Sequence, residues 1–407
     1  MSGPLTGIKV IEWSTWAIGP LAGVILSDLG AEVIKVEHPQ GGDAARQLKW
    51  IAGVVDAELP HGRNALFEIM NRNKRGMTLD LKQPEALAIL RRLIDGADVF
   101  LENFRPGVAD RLGVGYEALR QTNPRLIYAS SSGYGFKGEE AQRPGLDYVG
   151  QARSGVMYAM GHPGDPPYWS ASGFADIMGG IMLGFGIVAA IAARERLGVG
   201  QKVEMSHLSA TMFLQYWAIG TLGLTGGSEW PRFDRRTAGN PLWNHYQCAD
   251  GEWLVLALLE PERHWAAFCA LVGWEDLVAD PRFCTSDQQR LHRQELIALL
   301  EALFATKPRA EWERILAQNP DFVYDRVQTV GDLARDPAVL ANAYLSAFQH
   351  PDLGPVNYLN FPVNLSETPA HIRSAAPRLG EHTDEILTGD LGCSATQVAA
   401  LRAQGAI

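Results

Sequence analysis

Residues 7–37 constrain this chain more than any other stretch. Residues 7–14, GIKVIEWS, form a short apolar, β-branched run that reads as a buried strand. Residues 20–29 read as a helix, with Gly30 supplying the stop a helix C-terminus favours. Residues 31–37, AEVIKVE, read as a second strand. Strand, helix and strand in this order make a β-α-β unit, whose strands run parallel with a right-handed crossover. The pattern continues with strands at 77–81, 98–102 and 125–130 and a helix at 84–96. The first third is therefore expected to be an α/β layer resembling a doubly wound parallel sheet.

The pattern then changes. Residues 133–167 are a loop rich in Gly and Pro, followed by a helix from about Asp176, a strand at 202–206 and a second long helix from about Leu208. Glycine and charge cluster over 223–239, as in a linker. Beyond it, 245–248 and 253–258 flank an Asp-Gly turn, a hairpin signal. Helical stretches at 262–272, 296–305 and 309–317 complete what reads as a smaller α+β domain. The expected division is a large domain beginning over 1–222, a linker over 223–240 and the small domain over 241–328.

At 407 residues the chain is too long for one ordinary domain. Its net charge of −10 repels the phosphate backbone that supplies most nucleic-acid affinity, so no nucleic-acid partner is expected. Cys248, Cys269, Cys284 and Cys393 show no paired spacing and read as buried thiols. The first residues show no basic region followed by an apolar one. Both observations lead to a reducing, cytoplasmic setting as the expectation. Residues 177–193 carry no charge but fall short of the roughly 20 residues a bilayer demands, so a buried core helix is expected and no membrane.

Among motifs, Gly133 to Gly138 fits G-x-G-x-x-G and follows a strand. A dinucleotide site also needs a helix opening on the glycines and an acid about 20 residues on. Pro144 and Gly145 follow instead, so a loop shaping a site is the better reading. The chain has neither a G-x-S-x-G elbow nor a phosphate-binding G-x-x-x-x-G-K-[ST] loop. Its histidines lack metal-ligand spacing, so no metal is expected. Asp176 stands apart, at the expected N-terminus of the apolar helix. It reads either as a helix cap or as a carboxylate nucleophile held by the helix dipole. Gly179 and Gly180 would let a ligand or another backbone approach it.

Taken in order, several short segments resemble the class III CoA-transferases, the CaiB/BaiF family, over nearly the whole chain. They are 4–12 (PLTGIKVIE) with Gly19 and Pro20, 29–37 (LGAEVIKVE), 71–75 (NRNKR), 102–107 (ENFRPG), 194–203 (RERLGVGQKV) and 380–383 (GEHT). The resemblance implies a Rossmann-like large domain built from both chain ends, with 329–407 returning to it. It also implies a small middle domain and an interlocked homodimer. It makes Asp176 the catalytic residue, attacking an acyl-CoA thioester and passing CoA to a carboxylic acid through a covalent aspartyl intermediate. CoA enters as substrate, with no permanently bound cofactor. The implied CoA contacts are His38, Lys82, Asn103, Phe104, Arg111 and Asp147, with Gly133, Tyr134 and Gly135 as an active-site loop.

The departures from the family pattern are informative. His38 stands where a compared transferase carries arginine, and Leu146 where the family's racemases carry histidine. Without that second acid/base, two-sided proton transfer is hard to arrange, which favours a transferase over a racemase; an isomerase or lyase on the same scaffold stays an alternative. A catalytically silent CoA-binding protein is the alternative from another class, and the retained Asp176 argues against it. The glycine run of the formyl/oxalate type is absent at 237–240, so oxalate specificity does not carry over. Residues 320–327 also depart from the family's small-residue form. Trp16, Trp169, Tyr134 and Tyr158 are candidates for an acyl pocket that takes a larger or aromatic group.

Overall fold

The computed structural model describes residues 3–407. Six parallel strands form the central sheet: β1 Lys9–Trp13, β2 Glu32–Glu37, β3 Arg75–Thr78, β4 Val99–Glu102, β5 Ile127–Ser132 and β6 Gln201–Ser206. Their spatial order is β6-β5-β4-β1-β2-β3. Counted along the chain this is 3-2-1-4-5-6, the Rossmann order, whose reversal between β1 and β4 opens a crevice at the strands' C-terminal ends. The α/β expectation holds, with small shifts. The strand expected at 77–81 is Arg75–Thr78, because Asp80 turns the chain by accepting the Lys82 amide.

The middles of the inner strands are apolar on both sides because both faces of the sheet are covered there. Val10, Val33, Val99, Leu101 and Ile127 face one core, and Ile11, Ile34, Met77, Phe100 and Tyr128 face the other. The first core is closed by α1, Ile18–Asp28. The second contains residues of the chain end, Ile386, Leu387, Val398 and Ala406. Pro20 lies in the first turn of α1, where a missing N–H costs nothing.

Three further helices frame the crevice: α2 Ala65–Asn71, α3 Asp147–Ser154 and α4 Phe174–Leu197. By length and composition α4 is apolar enough to cross a membrane. One stripe of it, from Ala175 through Gly179, Gly180, Leu183, Gly184 and Ile187, is buried. A Cβ on Gly180 would lie 2.7 Å from Leu21 Cβ, so the glycine is what lets α1 and α4 approach so closely. Buried Arg194 pairs with Asp98 at 2.8 Å and fastens the far end of α4 to the sheet. After β6 come α5 His207–Leu214, capped by Ser206, and α6 Tyr216–Thr225.

The chain divides into two compact units. The sheet unit comprises the residues up to Ala159 with Tyr168–Trp230 and Leu340–Ile407. The second comprises Met160–Pro167 and Pro231–Val339. Residues 160–167, read from the sequence as part of the large domain, group with the second unit, where the Arg232 guanidinium donates to the His162 carbonyl at 3.0 Å. The second unit carries the antiparallel strands β7 Trp243–Gln247, β8 Trp253–Ala257 and β9 Tyr324–Arg326. Tyr246, Trp265, Phe268, Phe304 and Trp312 fill its core.

Candidate active site

A cavity of about 650 Å³ lies in the sheet unit at the topological switch. Its floor is built from residues that follow strand ends: Thr15 to Ile18 after β1, Asn103 to Pro106 after β4, Gly133 after β5 and His207 after β6. Leu66, Ile69 and Met70 of α2 and the aromatic side chains Trp16, Trp50, Tyr148 and Trp169 make much of the wall.

A buried charge network holds the β1 end of this floor. The Glu12 carboxylate pairs with Lys35 at 3.1 Å and Lys74 at 2.7 Å, and Lys35 pairs with Asp43 at 2.9 Å; all four side chains are buried. Lys74 also donates to the carbonyls of Pro20 and Met70 and to Asn71 Oδ1. Burial pushes the Lys74 ammonium down to about 8, against the pull of Glu12. Burial alone would raise the Asp43 carboxyl; the Lys35 ammonium and the amides of Trp16 and Ala45 hold it below its ordinary range. The Trp16 amide reaches Asp43 Oδ1 at 2.9 Å, and this bond accompanies a left-handed backbone (φ 68°) that tryptophan rarely adopts. Glu12, Lys35, Asn71 and Lys74 all lie in the segments that carried the family resemblance. Part of that signal is the scaffold of the crevice.

The β4 end is tied to β1 directly. Asn103 Oδ1 accepts the Thr15 amide at 2.9 Å, and its Nδ2 donates to the Thr15 carbonyl at 2.6 Å. The Phe104 ring packs on Trp13 with centroids 4.1 Å apart. The Phe104 amide donates to Glu102 Oε2 at 2.8 Å. Burial raises the Glu102 carboxyl to about 7, although Ser130, Phe104 and Tyr128 donate to it.

Asp176 sits in the first turn of α4, on the cavity wall. The helix-cap reading of this residue is overturned. The N-cap residue is Gly173, whose φ of 72° sets the turn, and the capping carboxylate belongs to Asp147 at the start of α3. Asp147 Oδ1 accepts the amides of Ala175 at 2.9 Å and Asp176 at 3.2 Å. Its Oδ2 accepts from Gln151 at 2.7 Å and Trp169 at 3.2 Å. Asp176 is thereby released from capping. Its Oδ1 meets His207 Nε2 at 2.8 Å, and no described residue donates to Oδ2.

Asp176, Asp147, Asn103, Phe104 and Gly133 thus meet in one cavity. Tyr134 and Gly135 line a smaller separate pocket with Phe136, Glu204 and Met212. His38, Lys82 and Arg111 lie outside the cavity, each exposed and each following the C-terminal end of a strand. His38 Nε2 lies 3.5 Å from Asp80 Oδ1. No α-helix opens on the glycines at 133–138. Gly133 instead packs backbone to backbone on Gly145, where a Cβ would stand 2.3 Å from Gly133 Cα. Of the four aromatic candidates, Trp16 and Trp169 reach the cavity, whereas Tyr158 is 66 % exposed and does not line it.

His207 escaped the sequence reading, which saw only scattered histidines. It follows β6 directly, and Ser206 pairs with Ser132 across the sheet, so the ring reaches the Ser132 carbonyl at 3.3 Å. Its position at a strand end on the ligand edge was the one signal that could have marked it. Gly150 of α3 makes room for it, since a Cβ there would lie 2.9 Å from both His207 Cβ and Ala175 Cβ.

Comparison with known proteins identifies the family of the chain. CoA-transferase family III matches residues 5–383. An acyl-CoA transferase of Fusarium pseudograminearum is 34 % identical, covering 100 % of this chain and 88 % of that protein. The (R)-2-hydroxy-4-methylpentanoate CoA-transferase of Clostridioides difficile is 31 % identical over 94 % of each chain. The crystal structure of a CaiB/BaiF family protein from Brucella suis superposes with a TM-score of 0.83 at 31 % identity, covering 95 % of this chain and 99 % of that one. The chain belongs to CoA-transferase family III and is an enzyme of this CaiB/BaiF class.

Proposed function

We propose that this enzyme transfers CoA from an acyl-CoA thioester to a carboxylic acid through a covalent intermediate on Asp176. The observation that carries the proposal is the Asp176 carboxylate, free of any capping role, which lines the cavity with no described residue donating to Oδ2. In this scheme Oδ2 attacks the thioester carbon and CoA leaves as thiolate, giving a mixed anhydride. The thiolate attacks Asp176 Cγ, the Cγ–Oδ2 bond breaks, and the donor acid departs as carboxylate. An acceptor carboxylate then attacks Cγ and expels the thiolate. The thiolate finally attacks the acceptor's acyl carbon, which restores Asp176. Each step exchanges one carboxylate for one thiolate, so charge balances and no further cofactor enters.

Asn103 and Phe104 support a CoA path along the switch crevice, with Asp147 fixing the helix that presents Asp176. His38, Lys82 and Arg111 are proposed for the nucleotide end of CoA. The loop at Gly133, Tyr134 and Gly135 is proposed to shield the anhydride from water. The aromatic wall supports a bulky apolar acyl group. His207 supplies a second proton carrier that the argument from Leu146 lacked. It contacts Asp176 itself, so the two groups approach a substrate from one side, and two-sided proton transfer is still not provided.

A homodimer is part of the proposal. Helix α6 carries no charge and no buried residue, with Trp217 83 % and Leu224 92 % exposed. A second copy is the occupant proposed to cover it. The four cysteines are free thiols, which supports a reducing, cytoplasmic location.

The test is intact-mass analysis after incubation with acyl-CoA. A CoA adduct mapping to Asp176 is expected in the wild type and none in Asp176→Ala. Full turnover by Asp176→Ala would sink the mechanism.

A further inference from the structure

Transfer through a carboxylate creates tetrahedral centres on the enzyme as well as on the substrate. When thiolate attacks Asp176 Cγ, and again when the acceptor carboxylate does, the negative charge gathers on the aspartyl oxygen that is not exchanged. With Oδ2 as the attacking atom, that oxygen is Oδ1. A preorganised donor aimed at it is the largest single aid a site can give such a step.

Of the backbone donors in the first turn of α4, those of Ala175, Asp176 and Ile177 are occupied. The amides of Ala175 and Asp176 donate to Asp147 Oδ1, and the Ile177 amide donates to the Gly173 carbonyl at 2.8 Å. The group that reaches Oδ1 is His207 Nε2, at 2.8 Å. A carboxylate only accepts, so while Asp176 is ionised the proton of this contact sits on Nε2. The Ser132 carbonyl at the other nitrogen likewise only accepts, so with both contacts made the ring carries a proton on each nitrogen; its side chain is 11 % exposed.

We propose that His207 is a catalytic residue whose Nε2–H is the oxyanion donor for the tetrahedral intermediates at Cγ of Asp176. This rests on the covalent transferase reading above. His207 orients the free carboxylate so that Oδ2 faces the thioester. It stays on the same oxygen when that oxygen becomes the carbonyl of the anhydride or of the aspartyl-CoA thioester. It strengthens its hold as charge develops there, and no proton need leave the ring.

Two near-isosteres separate the donor role from the structural one. In His207→Gln the amide nitrogen falls near the position of Nε2 and keeps the donor to Oδ1. In His207→Asn it falls near Nδ1 and keeps only the bond toward Ser132. Wild type, both variants and Asp176→Ala would be incubated with a pool of acetyl-, butyryl-, succinyl- and phenylacetyl-CoA. The rate of CoA-adduct formation at Asp176 would be followed by intact mass and peptide mapping, alongside thermal melting. Adduct formation is expected to slow by about 10²–10³-fold in His207→Asn and to stay within about 10-fold of wild type in His207→Gln. The half-saturating acyl-CoA concentration and the melting temperature should be similar in the two. His207→Asn as fast as wild type, or His207→Gln as slow as His207→Asn, would overturn the assignment while leaving the transferase reading intact. A wild-type enzyme that forms no adduct at Asp176, or an Asp176→Ala variant that still turns over, would instead remove the covalent reading and this assignment with it.

Discussion

The carboxylate of Asp147 caps the helix that carries Asp176: one oxygen, Oδ1, accepts the amides of both Ala175 and Asp176. Two acids that could each have capped a helix divide the work. One satisfies two of the orphan N–H groups of α4, and the other is free to face the cavity.

This division predicts a graded outcome at position 147. Asp147→Ala removes the acceptor for four donors and should cost about 1–2 kcal/mol from loss of the cap alone. Asp147→Asn keeps one acceptor oxygen and should cost less. Urea denaturation would give both values. CoA-adduct formation at Asp176 should fall in the same order, because a frayed first turn misplaces its carboxylate.

Glu102 should give the fold a pH dependence. Its folded-state value of about 7 lies above the ordinary 4.5, so the folded chain holds this proton more tightly than the unfolded chain does. The resulting stability is fully present below about 4.5 and is lost as pH rises through about 7. Glu102→Gln should therefore gain on wild type between pH 5 and pH 8, by up to about 3 kcal/mol. Denaturation curves at the two pH values, compared between the proteins, would show it; parallel behaviour would refute it.

Gly145 should tolerate no side chain. Its added Cβ would meet the backbone of Gly133, which follows the end of β5 directly and cannot move aside cheaply. Gly145→Ala is expected to cost about 1–3 kcal/mol, as overpacking does. Adduct formation should drop as well, because Asp147 lies two residues on. Calorimetry and the mass assay together check both effects.

The uncovered helix α6 makes a prediction about assembly. If a second copy covers α6 as proposed, Trp217→Glu combined with Leu224→Glu should shift the protein from dimer toward monomer in sedimentation velocity. An unchanged dimer in the double variant would show that the second copy docks elsewhere.

Much of the frame was legible in the sequence because it depends on local pattern. The buried strands around Val10, Val33 and Val99 are apolar on both faces, which only a covered parallel sheet permits. The Asp-Gly turn at 250–251 announced the hairpin of β7 and β8. Asp176 could be singled out by its place before an apolar run. Its two readings could not be separated there, because the competing cap comes from Asp147, 29 residues earlier in the chain.

The rest was decided by tertiary structure, for one physical reason. Hydrogen-bond partners are chosen by proximity in space, and a parallel sheet collects its strand ends from distant parts of the chain. His207 lies 31 residues from Asp176, with a whole helix and strand between them, so no spacing rule links the two. The Asn103 clamp on Thr15 spans 88 residues. The sequence by itself determined that a doubly wound sheet would form and that an aspartate would open its longest apolar helix. Only the folded chain decided which acid caps that helix, which acid is left free of capping, and which side chain stands on its Oδ1.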